Sequence, residues 1–434
     1  MPDPMATDMR WTDILTIARD LVFLLRSQGW SEDKVIRYRE QRLIRIMKHA
    51  VSQVPFYQSL RISPGSIRTS QDLKRFPIVT KQEIQENTDG FLWPRLKKED
   101  LHVSRTSGTS CEPTQTYFDH RCWLFSKYAL KMSRVWAVEN PLFKRLLIVS
   151  EQPKTNLEAS RPSRRRGAQI LLKQKHLSLF DPVDDHIPVL LNYKPHMLYA
   201  FPSYLLSLIQ ALEEKHLPYP KIPVIFTSSE LLTGKARTQI ENGFQARLYD
   251  VYGSTEFKEV AWQCRQGRYH INFQNVYLET DPKESIEPTG GSRLLISSLT
   301  NYAMPLLRFD IGDRAEMGRG KCPCGRESPY LRNIHGREAD FIQLSNGKRV
   351  SPYLLTMTIE AHPAIQKYQI VQKSATELAI EFVAFADGDA HGISEALSGK
   401  LRNILDDNIR VTFNKVDEIH RSESGKFQII KKMF

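Results

Sequence analysis

Between residues 143 and 253 short apolar runs alternate with helical segments, and this alternation most limits the folds open to the chain. The runs are 143-FKRLLIVS-150, 196-HMLYAF-201, 222-IPVIFTS-228 and 246-ARLYDVYG-253. Between them lie 203-SYLLSLIQALEEKH-216, opening at a serine N-cap, and 233-TGKARTQIENGF-244. Strand, helix, strand and helix at this spacing predict a mostly parallel α/β sheet.

The flanks read differently. Apolar positions recur at three and four over 35–60 and predict a helix closed by Pro55. Residues 69–87 predict two short Ser/Thr-started helices around an extended FPIV. Residues 14–25, broken by Arg19, Asp20 and Arg26, predict an amphipathic helix. After residue 265, RYHINFQNVYLET and SRLLISSLT alternate like antiparallel strands. From residue 336 the pattern shifts again. FIQLSNGKRV reads as a hairpin turning at Asn346-Gly347. A helix (352–361), strands (367–373 and 377–384), a helix (391–406) and a final strand (409–416) follow. The expectation is a large N-terminal domain, 1–334, with a helical extension over 1–34, and a small C-terminal α+β domain, 335–434.

At 434 residues the chain exceeds what one compact core usually covers. Its 41% hydrophobic and 25% charged content is that of a globular protein. No apolar run reaches membrane-spanning length, and the first ten residues lack the basic-then-apolar order of a secretory signal. These features predict a cytoplasmic protein without a membrane partner. Net charge is +12, densest over 161-RPSRRRGAQILLKQKH-176. That stretch has no aromatic residues for bases to stack on, which argues against nucleic acid. It reads as a solvated loop, with an anionic partner as the other reading. Five cysteines, an odd number, argue against a disulfide framework.

Four stretches carry chemistry. In 104-SRTSGTSCEP-113, hydroxyls and amides around Gly108 suit a phosphate cradle, or simply make a turn. In 249-YDVYGSTEF-257, Glu256 suits Mg²⁺ and Tyr252 suits a nucleobase, against an ordinary strand-to-helix turn. The carboxylates of 308-RFDIGD-313 suit ribose hydroxyls, or a surface hairpin. Lys426, in 424-SGK-426, is solvated or delivers charge to a developing anion.

The order of these stretches resembles the adenylate-forming superfamily, and within it the phenylacetate–CoA ligase group and its CapK-like branch. The resemblance runs from about residue 35 to the end. Its carriers are 54-VPFYQSL-60, 76-FPIVTKQEIQEN-87, 106-TSGTSCEPT-114, 195-PHMLYAFPSYL-205, 249-YDVYGSTEFKEVAWQC-264, 303-AMPLLRFDIGD-313, 322-CPCGR-326, 336-GREADFI-342 and 421-RSESGK-426. It implies the adenylate-forming enzyme fold: mixed sheets flanked by helices, plus a small mobile C-terminal domain. It also implies a ligase that joins a carboxylic acid to AMP from Mg-ATP, releases pyrophosphate, then passes the acyl group to coenzyme A or a carrier-protein thiol. Ser107, Gly108, Thr109 and Ser110 would hold the leaving phosphates, with Thr109 among the catalytic groups. Glu256 would ligate Mg²⁺. Ser229, Glu230, Asp250, Tyr252, Gly253, Ser254 and Thr255 would line the nucleotide, with Tyr252 packed on adenine. Asp313 would accept from ribose hydroxyls beside Arg337. Lys426 would bridge the carboxylate and the α-phosphate. Tyr199, Phe201, Ser203 and Tyr204 would line a pocket for an aryl or arylacetyl acid, or are plain core residues. Cys264, His270, Cys322 and Cys324 form a Cys₃His set suited to structural Zn²⁺, or are buried reduced thiols beside a histidine. A homodimer is also implied.

Two departures stand out. Cys111-Glu112-Pro113 replaces the Gly-Lys-Pro of relatives, and Ala339 occupies the usual hinge aspartate position. They weaken the thiol step more than adenylation. They keep open an adenylyltransferase that stops at AMP transfer, and a non-catalytic nucleotide-binding descendant.

Overall fold

The computed structural model describes residues 10–105, 114–150, 172–281, 291–318, 320–337, 340–347, 349–350, 352–385, 389–402, 404–405, 408–419 and 427–434. Its strands are β1 (His102–Arg105), β2 (Gln115–Phe118), β3 (Lys144–Ser150), β4 (Leu172–Ser178), β5 (Met197–Ala200), β6 (Val224–Ser228), β7 (Arg247–Ser254), β8 (Lys258–Gln263), β9 (Tyr269–Ile271), β10 (Val276–Asp281), β11 (Ser292–Ser298), β12 (Phe309–Met317) and β13 (Tyr330–Arg337). Then come β14 (Ile342–Gln343), β15 (Arg349–Val350), β16 (Ile365–Ser374), β17 (Glu377–Ala384), β18 (Arg410–Lys415) and β19 (Ile430–Lys432). β3 to β13 form one sheet in the order β10-β11-β12-β13-β9-β8-β7-β6-β5-β3-β4. β3 to β7 are parallel, and from β7–β8 onward every pairing is antiparallel. The mostly parallel expectation holds for half the sheet, and its alternating half is antiparallel as the period-two pattern suggests.

Side chains one residue apart on a strand face opposite ways, and the parallel strands use this to bury both faces. Leu147, Leu198 and Ile225 join the helices Val183–Tyr193, Pro202–Glu214 and Gly234–Phe244 on one face. Their neighbours Leu146, Met197 and Val224 pack under Val135 and Val138 of helix Leu130–Val138 on the other. The antiparallel half is covered by helix Glu32–Gln53, whose Leu43, Ile46, Met47 and Ala50 follow the three-and-four spacing. Residues Ile342 to Ile430 close a separate core around the four-stranded sheet β18-β17-β16-β19.

Three local readings need correction. Ser203 does not cap its helix: Phe201 is the N-cap and Pro202 opens the first turn, where its fixed φ is favourable. β18 is not the last strand, since β19 pairs in parallel with β16 at Ile370↔Ile430. At three residues, two of them lysine, it offers no alternation to read. Helix Trp11–Ser27 buries carboxylates rather than an apolar face alone. Asp13 accepts from His120 at 2.9 Å, and Asp20 takes a two-pronged pair from Arg121, while Trp11 and Leu15 stay exposed. Among the described residues no helix is long and apolar enough to cross a membrane.

One ion pair crosses the core beneath the sheet. Arg134 Nε donates to both carboxylate oxygens of Glu259 at 3.1 Å, with both side chains buried. Breaking such a pair leaves a charge without its partner in low dielectric. Glu259→Ala is expected to destabilise the fold by about 3–5 kcal/mol. Urea denaturation tests this as a lowered midpoint at unchanged slope.

Candidate active site

The sheet changes sense where β7 turns into β8, and the motif 249-YDVYGSTEF-257 forms that turn. Gly253 is required by close approach: a Cβ there would lie 2.6 Å from the Lys258 carbonyl oxygen. Ser254 Oγ accepts from the Phe257 amide at 3.2 Å and pins the turn, and Thr255 sits half-buried beside it. Glu256 is buried at its tip. Among the described residues no hydrogen bond or ion pair reaches its carboxylate, and Lys258 and Asp313 are its charged neighbours. A buried carboxylate in that condition suits a hard cation.

Tyr252 is half-buried. Its hydroxyl donates to Asp313 Oδ2 at 2.5 Å, which ties β7 to β12. Arg337, paired with Asp313 in the β12–β13 register, brings its Nε to 3.8 Å from Oδ1. Burial pushes the Asp313 carboxyl up, against Arg337 and the Tyr252 hydroxyl, which favour its ionised form. The other carboxylate of RFDIGD is spent: Asp310 pairs with Arg293 through Nε at 2.9 Å and Nη2 at 2.6 Å. Asp313 is therefore the one with a role left in the site.

Asp250 is engaged within the sheet. It is buried beneath β7, accepting from Thr227 Oγ1 and from the Tyr269 hydroxyl, each at 2.6 Å. Burial raises its carboxyl and those two hydroxyls oppose the rise. It fastens β6, β7 and β9 together.

Glu230 gathers three donors after β6. It accepts from the Ser203 amide at 2.9 Å, the Ser203 hydroxyl at 2.8 Å and the Phe427 amide at 2.9 Å. Phe427, the residue after Lys426 in the chain, is thereby moored at this site. Ser229 beside Glu230 has φ +73°, a conformation costly for a residue with a Cβ, and its hydroxyl lies 3.2 Å from that of Ser228. Lys426, Ser107, Gly108, Thr109, Ser110 and the hinge residue Ala339 lie outside the described residues. The strands β1 and β2 that bracket 106–113 are antiparallel partners, Ser104 opposite Thr116.

Of the expected acid pocket, two residues go elsewhere. Phe201 and Tyr204 belong to the core behind the sheet, where the Tyr204 hydroxyl bonds His186 Nδ1 at 3.0 Å. They fall on the inward face of the helix that starts at Pro202. Tyr199 remains on the opposite face, its hydroxyl 2.5 Å from Ser228 Oγ. Ser203 stays at the site through Glu230.

Sequence reasoning missed the site's cations. Lys258 presents its ammonium to the rings of Phe118 and Trp123, 4.9 Å from each centroid, and donates to Ser104 Oγ. Burial, then the charges of Lys131 and Lys127, pull its pKa down to about 7. Arg134 stacks 4.3 Å from Phe226. The signal was present in 127-KYALKMSR-134, whose basic residues fall on one helix face, but a charge series at that spacing normally marks a solvated surface.

Cys264, His270, Cys322 and Cys324 converge, their ligand atoms within 4.8 Å of one another. Cys264 Sγ and Cys322 Sγ are 3.8 Å apart, and Cys324 Sγ is 3.2 Å from His270 Nε2. Zn–S bonds of about 2.3 Å in a tetrahedron place thiolates about 3.8 Å apart. His270 Nδ1 is held by Ser328 Oγ at 2.9 Å, which turns Nε2 toward the sulfurs. Burial pushes the Cys322 thiol up to about 12, a cost to the thiolate that a bound cation reverses.

Comparison with known proteins gives the wider frame. Residues 342–433 match the family model of the CapK C-terminal domain. A phenylacetate–coenzyme A ligase of Thermus thermophilus is 23% identical, aligned over 91% of this chain and 96% of its own. Protein CapK of Staphylococcus aureus is 21% identical, over 83% and 80%. A 2-hydroxyisobutyryl-CoA ligase, solved in the postadenylation state with an acyl-AMP, superposes with a TM-score of 0.77 at 19% identity, covering 94% of this chain and 91% of that one. The same protein in its thioesterification state gives 0.62 at 20% identity, covering 94% and 92%. The chain has the fold of the adenylate-forming CoA ligases, its residues 342–433 match the CapK C-terminal domain, and over most of its length it is similar to a phenylacetate–coenzyme A ligase and to protein CapK.

Proposed function

We propose that the protein is an AMP-forming acid–thiol ligase. It converts a carboxylic acid and Mg-ATP to an acyl-adenylate and pyrophosphate, then passes the acyl group to a thiol such as coenzyme A. The observation that carries this reading is the mooring of the Phe427 amide on Glu230. Phe427, next in the chain to Lys426, lies at the same end of the sheet as Glu256, Asp313 and Tyr252. In this reading Asp313, with Arg337, serves the ribose, and Glu256 holds Mg²⁺, which supplies charge neutralisation at the phosphates. Ser107, Gly108, Thr109 and Ser110 serve the leaving phosphates. Catalysis is then chiefly positioning and charge stabilisation. Tyr199, with Phe118 and Trp123 of the cation cluster, replaces Phe201 and Tyr204 as the aromatic lining, so an aromatic acid remains the expected class.

ATP–pyrophosphate exchange against a panel of aryl, arylacetyl and aliphatic acids tests this. Exchange is expected with one acid class and should fall about 10²–10³-fold in Lys426→Ala. Exchange unaffected by that change removes the reading. Glu230→Ala removes the Phe427 mooring together with both Ser203 bonds and is expected to slow exchange about tenfold, roughly 1.4 kcal/mol in the barrier.

A second reading, an adenylyltransferase that stops at AMP transfer, draws on Ala339 at the hinge. Coenzyme A accelerates AMP release in the ligase and leaves it unchanged in the adenylyltransferase. We also assign a structural zinc to Cys264, His270, Cys322 and Cys324. Metal analysis of purified protein should return one equivalent of zinc. Cys324→Ser should lose it and lower the thermal midpoint.

A further inference from the structure

The helix Trp11–Ser27 has two unlike faces. Asp13, Ile17, Asp20, Leu24 and Ser27 recur at four and three and turn inward, where Ile17 and Leu24 pack on Phe125, Ala129 and Leu130. Trp11, Leu15, Ala18 and Val22 recur at the same spacing on the opposite face, and all four are exposed. Trp11 keeps 78% of its surface open, Leu15 68% and Val22 48%, with Ile14 beside them. Exposed apolar residues scattered singly need no explanation. A continuous ridge of them along one helix face marks an interaction surface.

The charge around the ridge has one sign. The helix's two acids, Asp13 and Asp20, are buried and held by His120 and Arg121. The exposed charges are basic: Arg10 at the N-cap, Arg19 and Arg26. Arg10 and Arg19 come within 3.6 and 3.7 Å of Asp13 and Asp20, yet each keeps 70% of its side chain in solvent. Arg19 and Arg26 follow Leu15 and Val22 by four positions, which sets both on one flank of the ridge. An apolar ridge edged by guanidinium groups, its acids turned away, complements a surface that is apolar within and anionic outside. A second copy fits poorly, because pairing two such ridges sets arginines against arginines. Side chains exposed to this degree also protrude, and an anionic bilayer accepts a convex apolar edge without a matching pocket.

We propose that this face of helix Trp11–Ser27 docks on an anionic lipid surface, with Trp11, Leu15 and Val22 entering the headgroup–acyl boundary and Arg10, Arg19 and Arg26 meeting the anionic headgroups. The proposal goes beyond acid activation and does not depend on it. The expectation of no membrane partner rests on the lack of a spanning run and a secretory signal, and a docked ridge needs neither.

Co-sedimentation of the full chain with vesicles provides the test, using phosphatidylcholine alone and phosphatidylcholine mixed with phosphatidylglycerol. Binding to the mixed vesicles is expected to be about tenfold or more tighter than to phosphatidylcholine, and to weaken as salt rises. The double variant Trp11→Ser, Leu15→Ser should lose it, with circular dichroism and any pyrophosphate exchange unchanged, while Trp11→Phe should keep it. Arg19→Gln combined with Arg26→Gln should remove the preference for the anionic vesicles. The emission difference between wild type and Trp11→Phe should show Trp11 open to acrylamide in solution and shielded on vesicles. No binding, equal binding to both vesicles, or binding that survives Trp11→Ser, Leu15→Ser overturns the proposal. So does a Trp11 shielded without vesicles, with a solution mass that halves in the double variant, which assigns the ridge to a second copy. Binding of soluble polyglutamate in place of vesicles, lost in the double variant, assigns it to an acidic protein and overturns the proposal as well.

Discussion

The site depends on the pinch between β7 and β8. The backbone of Gly253 and the carbonyl of Lys258 approach so closely that no side chain fits between them. That contact lets a parallel sheet hand over to an antiparallel one without a crossover helix. The turn it creates projects Tyr252, Glu256 and Lys258 from one short stretch. A residue with a Cβ at position 253 forces the strands apart, and the pairing of Ser254 with Lys258 is the first to go. The ligand-binding crevices of open α/β sheets lie where strand order or direction changes. Here the change and the chemistry occupy the same six residues.

The carboxylates around this turn separate by what satisfies them. Asp250 has two hydroxyl donors, Asp310 has Arg293, Glu259 has Arg134, and each is thereby part of the scaffold. Among the described residues Asp313 has a tyrosine hydroxyl and an exposed arginine at 3.8 Å, and Glu256 has no partner. Burying a carboxylate without compensation is expensive. The two that remain under-compensated are the two best suited to meet hydroxyls and a metal ion. Residue type alone does not draw this division; partner counting does.

The same contrast explains what was legible in the sequence. The alternation of Leu146/Leu147 and Met197/Leu198 is local, so strands and flanking helices follow from spacing. Glu256, Asp313 and the four zinc-suited residues were legible because each sits in a short motif. Phe201 and Tyr204 were misplaced because 199-YAFPSY-204 runs from a strand into a helix. The change of period there, together with Pro202 setting the first turn, rotates them toward the core. The lysine cluster was invisible because Lys127 and Lys258 are far apart in sequence, and only the docking of helix on sheet joins them at Trp123. The burial of Asp13 and Asp20 in an N-terminal helix contradicts composition reasoning. It becomes sensible only once His120 and Arg121 arrive from a distant segment.

The contacts between the large and small units favour separation. The core of residues 342–430 closes on itself, so no apolar side chain must leave water twice when the unit moves. Polar contacts that join it to the rest among the described residues include Phe427 on Glu230, Lys367 on Gln210 at 2.8 Å, and Lys235 on the carbonyl of Ile365. Between them remains a cavity of about 370 Å³ bordered by Ile209, Tyr219, Gln366 and Phe385. Polar, incompletely packed interfaces within a chain permit domain motion. Glu230 also retains its two Ser203 bonds when Phe427 departs, so its carboxylate is never left unpaired. The Phe427 mooring can therefore release at little electrostatic cost, the property a two-step ligase needs between adenylation and thiol attack.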